Sequence, residues 1–167
     1  MRSTFLLAAL FSLPVLAACG DDDATAPTPE RWTATLVGTN EVPPVTTTAT
    51  GSAAFEAVGD TAISYTITAS ITGVTMGHIH TGAAGTNGAV LVWLAPPNGT
   101  VPQTASGAIN GQLSTGRMNA SWIRGVGGQP AITLDSLKRL MRSGNAYVNV
   151  HTSAFGGGEV RGQVRTN

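Results

Sequence analysis

Between Ala62 and Ile71 the chain alternates without a break: Ile63, Tyr65, Ile67, Ala69 and Ile71 are apolar, while Ser64, Thr66, Thr68 and Ser70 are polar. Side chains on an extended strand point to opposite faces in turn, so this run has one face to bury and one to wet. Similar short runs recur between Gly, Pro and Asn punctuation. They predict nine strands, at 33–38, 50–58, 62–71, 76–81, 89–95, 107–113, 119–123, 146–151 and 159–165. Nine such strands suit one all-β domain, an antiparallel β-sandwich or barrel. The low share of charged residues, 11%, with many Gly, Thr, Ala, Ser and Val, agrees with that better than with a helical bundle. One segment departs from the two-residue period. Leu134, Leu137, Leu140 and Met141 recur at three- and four-residue spacing, Thr133 is placed to cap the start and Gly144 follows, which predicts one short helix near 133–143. Its Lys138, Arg139 and Arg142 suit the negative end of the helix dipole and read as a solvated face.

The N-terminus carries an export pattern. Arg2 precedes an apolar run from Phe5 to Leu16, shorter than the roughly 20 residues of a spanning helix. Leu16-Ala17-Ala18-Cys19 then resembles a bacterial lipobox, which implies a signal peptide over 1–18 and a Cys19 lipidated at its sulfur. Cys19 is the single cysteine, so no intrachain disulfide is available. Residues 19–30 (CGDDDATAPTPE) lack apolar periodicity and read as a lipidated cysteine followed by a flexible tether, with the domain occupying 31–167. The membrane, reached through Cys19, is the expected partner. Localisation is then the bacterial cell envelope; Gly20, in place of an inner-membrane-retaining aspartate, favours the outer membrane, with the leaflet left open by Asp21-Asp22-Asp23. The domain holds eight basic against five acidic residues, scattered and without aromatic interleaving, so no nucleic-acid partner is expected. A protein or other envelope ligand is not specified by any motif.

The chemistry-bearing residues are few. In the stretch MGHIHTG, His78 and His80 are two apart and share a strand face, with Ile79 opposite. By the same parity, Tyr147, Asn149 and His151 lie opposite Val148 and Val150, and Arg161 lies opposite Val160 and Val164. All four functional groups are thus expected on faces turned from the apolar centre. Three thiolate-free imidazoles suit copper or, second, zinc, and leave one coordination position open. The alternative is that His78 and His80 hydrogen-bond to backbone, Glu159 or Asn149 and merely fix loops. No GxSxG elbow or spaced carboxylate pair appears, so no catalytic residue is assigned and a non-catalytic protein is expected.

Three segments, in order, carry a resemblance to a known family: LVGTNEVPPVTTTATGSAAF, GHIHTGAAGTNGAVLVWL and LMRSGNAYVNVHTSAFGGGEVRGQV. They resemble the CHRD domain family, named for chordin and common in bacterial secreted proteins. The resemblance runs from about Thr33 to Val164 and implies an all-β extracellular module. Separately, Gly77-His78-Ile79-His80, the later Val150-His151 and a Gly-rich turn leading to Arg161 are similar to the order of elements around copper in Cu/Zn superoxide dismutase. That likeness implies copper ligands at His78, His80 and His151, and Arg161 as an anion-guiding group. The expected fold is an Ig-like or superoxide-dismutase-like sandwich or barrel, and Asn149 and Glu159 are expected as outer partners of the site. The enzyme's fourth copper histidine, zinc loop and disulfide have no counterpart here. Two functions follow: a membrane-anchored binding or structural module of the envelope without catalysis, or a redox-active copper protein with a three-histidine site.

Overall fold

The computed structural model describes residues 28–97, 107–125 and 130–167. The segments expected to be a signal peptide (1–18) and a lipidated Cys19, and most of the expected tether, lie outside the described residues. In chain order the elements are β1 (Arg31–Val37), β2 (Thr50–Val58), β3 (Ala62–Thr72), β4 (Val74–Thr81), β5 (Val90–Ala95), β6 (Ala108–Asn119), α1 (Leu134–Arg142), β7 (Ala146–Thr152), β8 (Val160–Gln163) and β9 (Arg165–Thr166). The strands form one sheet in the order β5-β4-β7-β8-β1-β2-β3-β6, with β9 added to β1, and every pairing is antiparallel. The sheet rolls until its two end strands meet. Tyr65 and Ser114 both donate their hydroxyls to the Leu94 carbonyl, at 2.8 and 2.5 Å, and Val92 makes a single bridge to Ile123. The result is a nearly closed barrel, the all-β architecture expected from the alternation.

Alternation accounts for the interior. Trp32, Ala34 and Leu36 of β1, Ile63, Tyr65 and Ile67 of β3, and Val148 and Val150 of β7 point inward and are buried. At about 25 cal/mol per Å² of apolar surface, this core is the main driving force for closing the roll. Helix α1 packs Leu134, Leu137 and Met141 onto it. Thr133 caps α1 by accepting from the Ser136 amide at 3.1 Å, as expected. Gly144 adopts φ +68°, the left-handed turn that ends the helix. Gly162 is required for a different reason: a Cβ there would collide with the Thr35 carbonyl, so its absence lets β8 approach β1.

Three expectations are corrected. Residues 119–123 are not a strand of their own: β6 runs through to Asn119, and a 3-10 turn over Ala120–Trp122 follows, its Ser121 amide donating to the Asn119 side chain. The last predicted strand breaks in two at Val164, whose side chain is drawn into the core. Lys138 is not on a solvated face; it is 4% exposed, with its ammonium bonded to the Gly59 carbonyl at 3.1 Å. Helical periodicity marks the apolar side, but a lysine at its margin can lay its methylenes over the core and reach an acceptor beyond. Glu30, at the end of the tether segment, is held by two hydrogen bonds from Arg142, at 2.5 and 2.6 Å.

Candidate metal centre

The site grows from the pairing of β4 with β7. Their register sets Met76 opposite His151, His78 opposite Asn149 and His80 opposite Tyr147. Residues paired across an antiparallel ladder share a face, so one face carries all of them. β8 extends it by placing Arg161 beside Asn149, and β5 places Trp93 beside His78. His78, His80 and His151 each present a ring nitrogen lying within 4.8 Å of the other two. The ring centroids of His80 and His151 stand 5.5 and 5.1 Å from that of His78. Nitrogens bound to one ion at about 2.0–2.1 Å sit at most about 4 Å apart, so closure on a metal needs side-chain shifts on the order of 1 Å.

This face points away from the apolar centre, as parity requires, yet it is not wet. β7 is buried on both faces, and the three histidines are 3–8% exposed. Loops cover them. The His80 Nδ1 lies 2.9 Å from the Gly88 carbonyl, and the His151 Nδ1 lies 2.9 Å from the Gly156 carbonyl. A carbonyl only accepts, so both rings carry their hydrogen on Nδ1 and turn the Nε2 lone pair toward the cluster. Backbone carbonyls hold metal-binding imidazoles in this way.

The remaining nitrogens are the informative ones. His78 Nδ1, His78 Nε2 and His80 Nε2 are buried without a hydrogen-bond partner. The Nε2 of His151 faces the Asn149 Oδ1 at 3.1 Å. With its hydrogen already on Nδ1, the neutral ring cannot also donate there, so this nitrogen is weakly held. Burial, followed by the neighbouring rings of His151 and His80, lowers the His78 pKa to about 3. Burial likewise lowers His80 and His151, opposed by their carbonyl bonds. At neutral pH all three are uncharged and able to ligate.

Aromatic rings wall the cluster. Trp93 meets His78 edge-on with centroids 4.4 Å apart, and Tyr147 stacks on His80 at 4.7 Å. The Arg161 guanidinium lies on the other side of Tyr147, 3.4 Å from its centroid. Arg161 also donates to the Asn87 side chain at 3.1 Å and to the Ala83 and Thr86 carbonyls at 3.3 and 2.6 Å. These contacts pin the loop over the site, and the guanidinium is separated from the imidazoles by the tyrosine. Glu159 stands apart from the rings, accepting from Thr47 and Thr152 at 2.6 and 2.7 Å. It ties two loops together.

Sequence reasoning brought the three histidines, Asn149 and Arg161 to one face but missed Trp93 and Glu41. Trp93 required the β4–β5 register. Glu41 is 5% exposed, and burial raises its pKa against the lowering effects of Arg161 and the Asn149 amide. Both Glu41 and Asn149 would collide with a Cβ at Gly158, whose φ is +122°. The sequence signal for Glu41 was the Asn40-Glu41-Val42-Pro43-Pro44 motif, which gives no hint of what the carboxyl touches.

No curated protein and no solved structure matches the chain. The CHRD domain model matches residues 32–164, from the start of β1 to the end of the core-forming segment after β8. That span takes in strands β1 to β8, save Arg31, and every residue of the histidine cluster, and the chain belongs to the CHRD domain family.

Proposed function

We propose that this protein is an exported CHRD module, held to the bacterial envelope by a lipidated Cys19, that binds one copper ion through His78, His80 and His151 and performs no catalysis. The observation that carries the metal reading is the set of three buried imidazole nitrogens without partners. Each unsatisfied buried group costs about 1–3 kcal/mol. One ion bound by a single nitrogen from each ring would satisfy His80 Nε2 and one of the two His78 nitrogens, with His151 as the third donor, and carbonyls already steer the His80 and His151 rings. The alternative, rings that only fix loops, explains the Nδ1 contacts of His80 and His151 but nothing about His78.

The test is titration of the chelator-treated full chain with copper and with zinc. One equivalent of copper is expected to bind and to quench Trp93 fluorescence, since that ring abuts His78. His80→Ala is expected to abolish both signals. Unchanged binding in that variant, or none in the wild type, would remove the metal reading and leave the module without an assigned ligand. The anchor is tested separately. Labelled fatty acid supplied to expressing cells is expected to appear on the isolated wild-type chain and not on the Cys19→Ser variant; equal labelling of the two chains would refute lipidation at that residue.

A further inference from the structure

We infer that the three-histidine site is built for monovalent copper, and that the thioether of Met76 completes its coordination. The inference rests on the metal reading above and deepens it.

The first ground is charge. The cluster contains imidazoles alone, with no carboxylate or thiolate among its members. Both Glu159 oxygens are engaged by threonines, the buried Glu41 is held on Asn149 with its charged form disfavoured by burial, and the cationic Arg161 lies behind Tyr147. Transferring an ion from water into a low-dielectric interior costs free energy that grows with the square of its charge. For equal size a divalent ion therefore costs about four times as much as a monovalent one. A carboxylate ligand would offset that difference, and the site lacks one. Three neutral donors in a buried pocket beside a guanidinium thus discriminate against Zn(II) and Cu(II) and in favour of Cu(I).

The second ground is the position left open. On the His80 side, Tyr147 and the Gly88 carbonyl close the cluster. On the β5 side Trp93 covers His78, and on the β7 side Asn149 stands between His78 and Arg161. The remaining register position on this face is Met76, two residues before His78 and directly opposite His151. It is half-buried. Methionine is unbranched with three rotatable bonds, and its soft sulfur favours Cu(I) over zinc.

The experiment uses the full chain under anaerobic conditions, with Cu(I) supplied in competition with a chromophoric Cu(I) chelator, and with Zn(II) and Cu(II) as rivals. X-ray absorption of the Cu(I)-loaded protein is expected to show nitrogen neighbours and one sulfur. Met76→Leu, which keeps the apolar bulk, is expected to lose the sulfur, retain the nitrogens and weaken Cu(I) binding at least the roughly tenfold that loss of an outer partner costs. A nitrogen-only shell in the wild type would overturn the role of Met76, whether or not the variant folds. Displacement of Cu(I) by one equivalent of Zn(II) would overturn the monovalent preference. In both cases metal binding sensitive to His80→Ala would leave the proposed function standing, whereas absence of any bound metal would remove both.

Discussion

His78→Phe is expected to abolish metal binding and, in the metal-free protein, to raise stability by about 1–3 kcal/mol. His78 is 3% exposed and neither ring nitrogen has a partner, so the wild-type fold leaves two polar atoms desolvated and unbonded. Phenylalanine keeps an aromatic ring against Trp93, His80 and His151 while removing those atoms. Replacing a buried unsatisfied group by an apolar one of similar shape is neutral or stabilising, whereas removing a bonded partner is not. Urea unfolding with chelator present reads the change, and His78→Leu guards against strain from the slightly larger phenylalanine. Destabilisation of the metal-free protein by both variants would mean that the imidazole is satisfied in the fold and has no need of an ion. Opposite movements of stability and binding would mark His78 as a residue retained for a ligand.

The metal-free domain is also expected to be strongly acid-labile. His78, His80 and His151 have folded pKa values below the ordinary histidine value of 6.5, His78 at about 3. Above 6.5 the rings are neutral in both states and contribute nothing to the pH dependence. Below it the unfolded chain takes up protons that the folded one refuses, so stability falls with falling pH by up to about 1.4 kcal/mol per unit for each ring. For His78 the loss continues down to about pH 3; the other two stop contributing once their own lowered pKa values are passed. Glu41 acts in the opposite sense. Its pKa is raised by burial, so the folded state binds its proton first and gains as pH falls toward 4.5, but it is one group against three. Thermal midpoints measured from pH 7 to 4 with chelator should therefore drop steeply, and His78→Phe should flatten the curve. One equivalent of copper should also flatten its upper part, since an ion that binds only the folded state stabilises it. A pH-independent midpoint across that range would show that the rings are accessible to protons in the fold.

The likeness to superoxide dismutase acquires a narrower meaning in this setting. The order of His78, His80, His151 and Arg161 along the chain is similar, but here the Arg161 guanidinium stacks on Tyr147 and holds Ala83, Thr86 and Asn87. That engages it in pinning a loop. An anion-guiding role remains what the resemblance alone implies.

What the sequence determined by itself was local and periodic. The alternation of Ile63 through Ile71 announced a strand with one buried face, the spacing of Leu134, Leu137 and Met141 announced a helix, and His-Ile-His placed two imidazoles on one side of β4. Each follows from backbone geometry within a few residues, where the direction of a side chain is set by its own pleat or turn. What only the tertiary structure decided was non-local. β7 had to become the neighbour of β4, in a register that faces Met76 with His151 and His78 with Asn149, and loops at 82–88 and 155–159 had to close over the rings. Periodicity carries no information about which strands pair or what covers a polar face, because both depend on contacts between segments far apart in the chain. Hence the histidines were legible as a set, while their burial, their unpartnered nitrogens and the presence of Trp93 and Met76 around them were not.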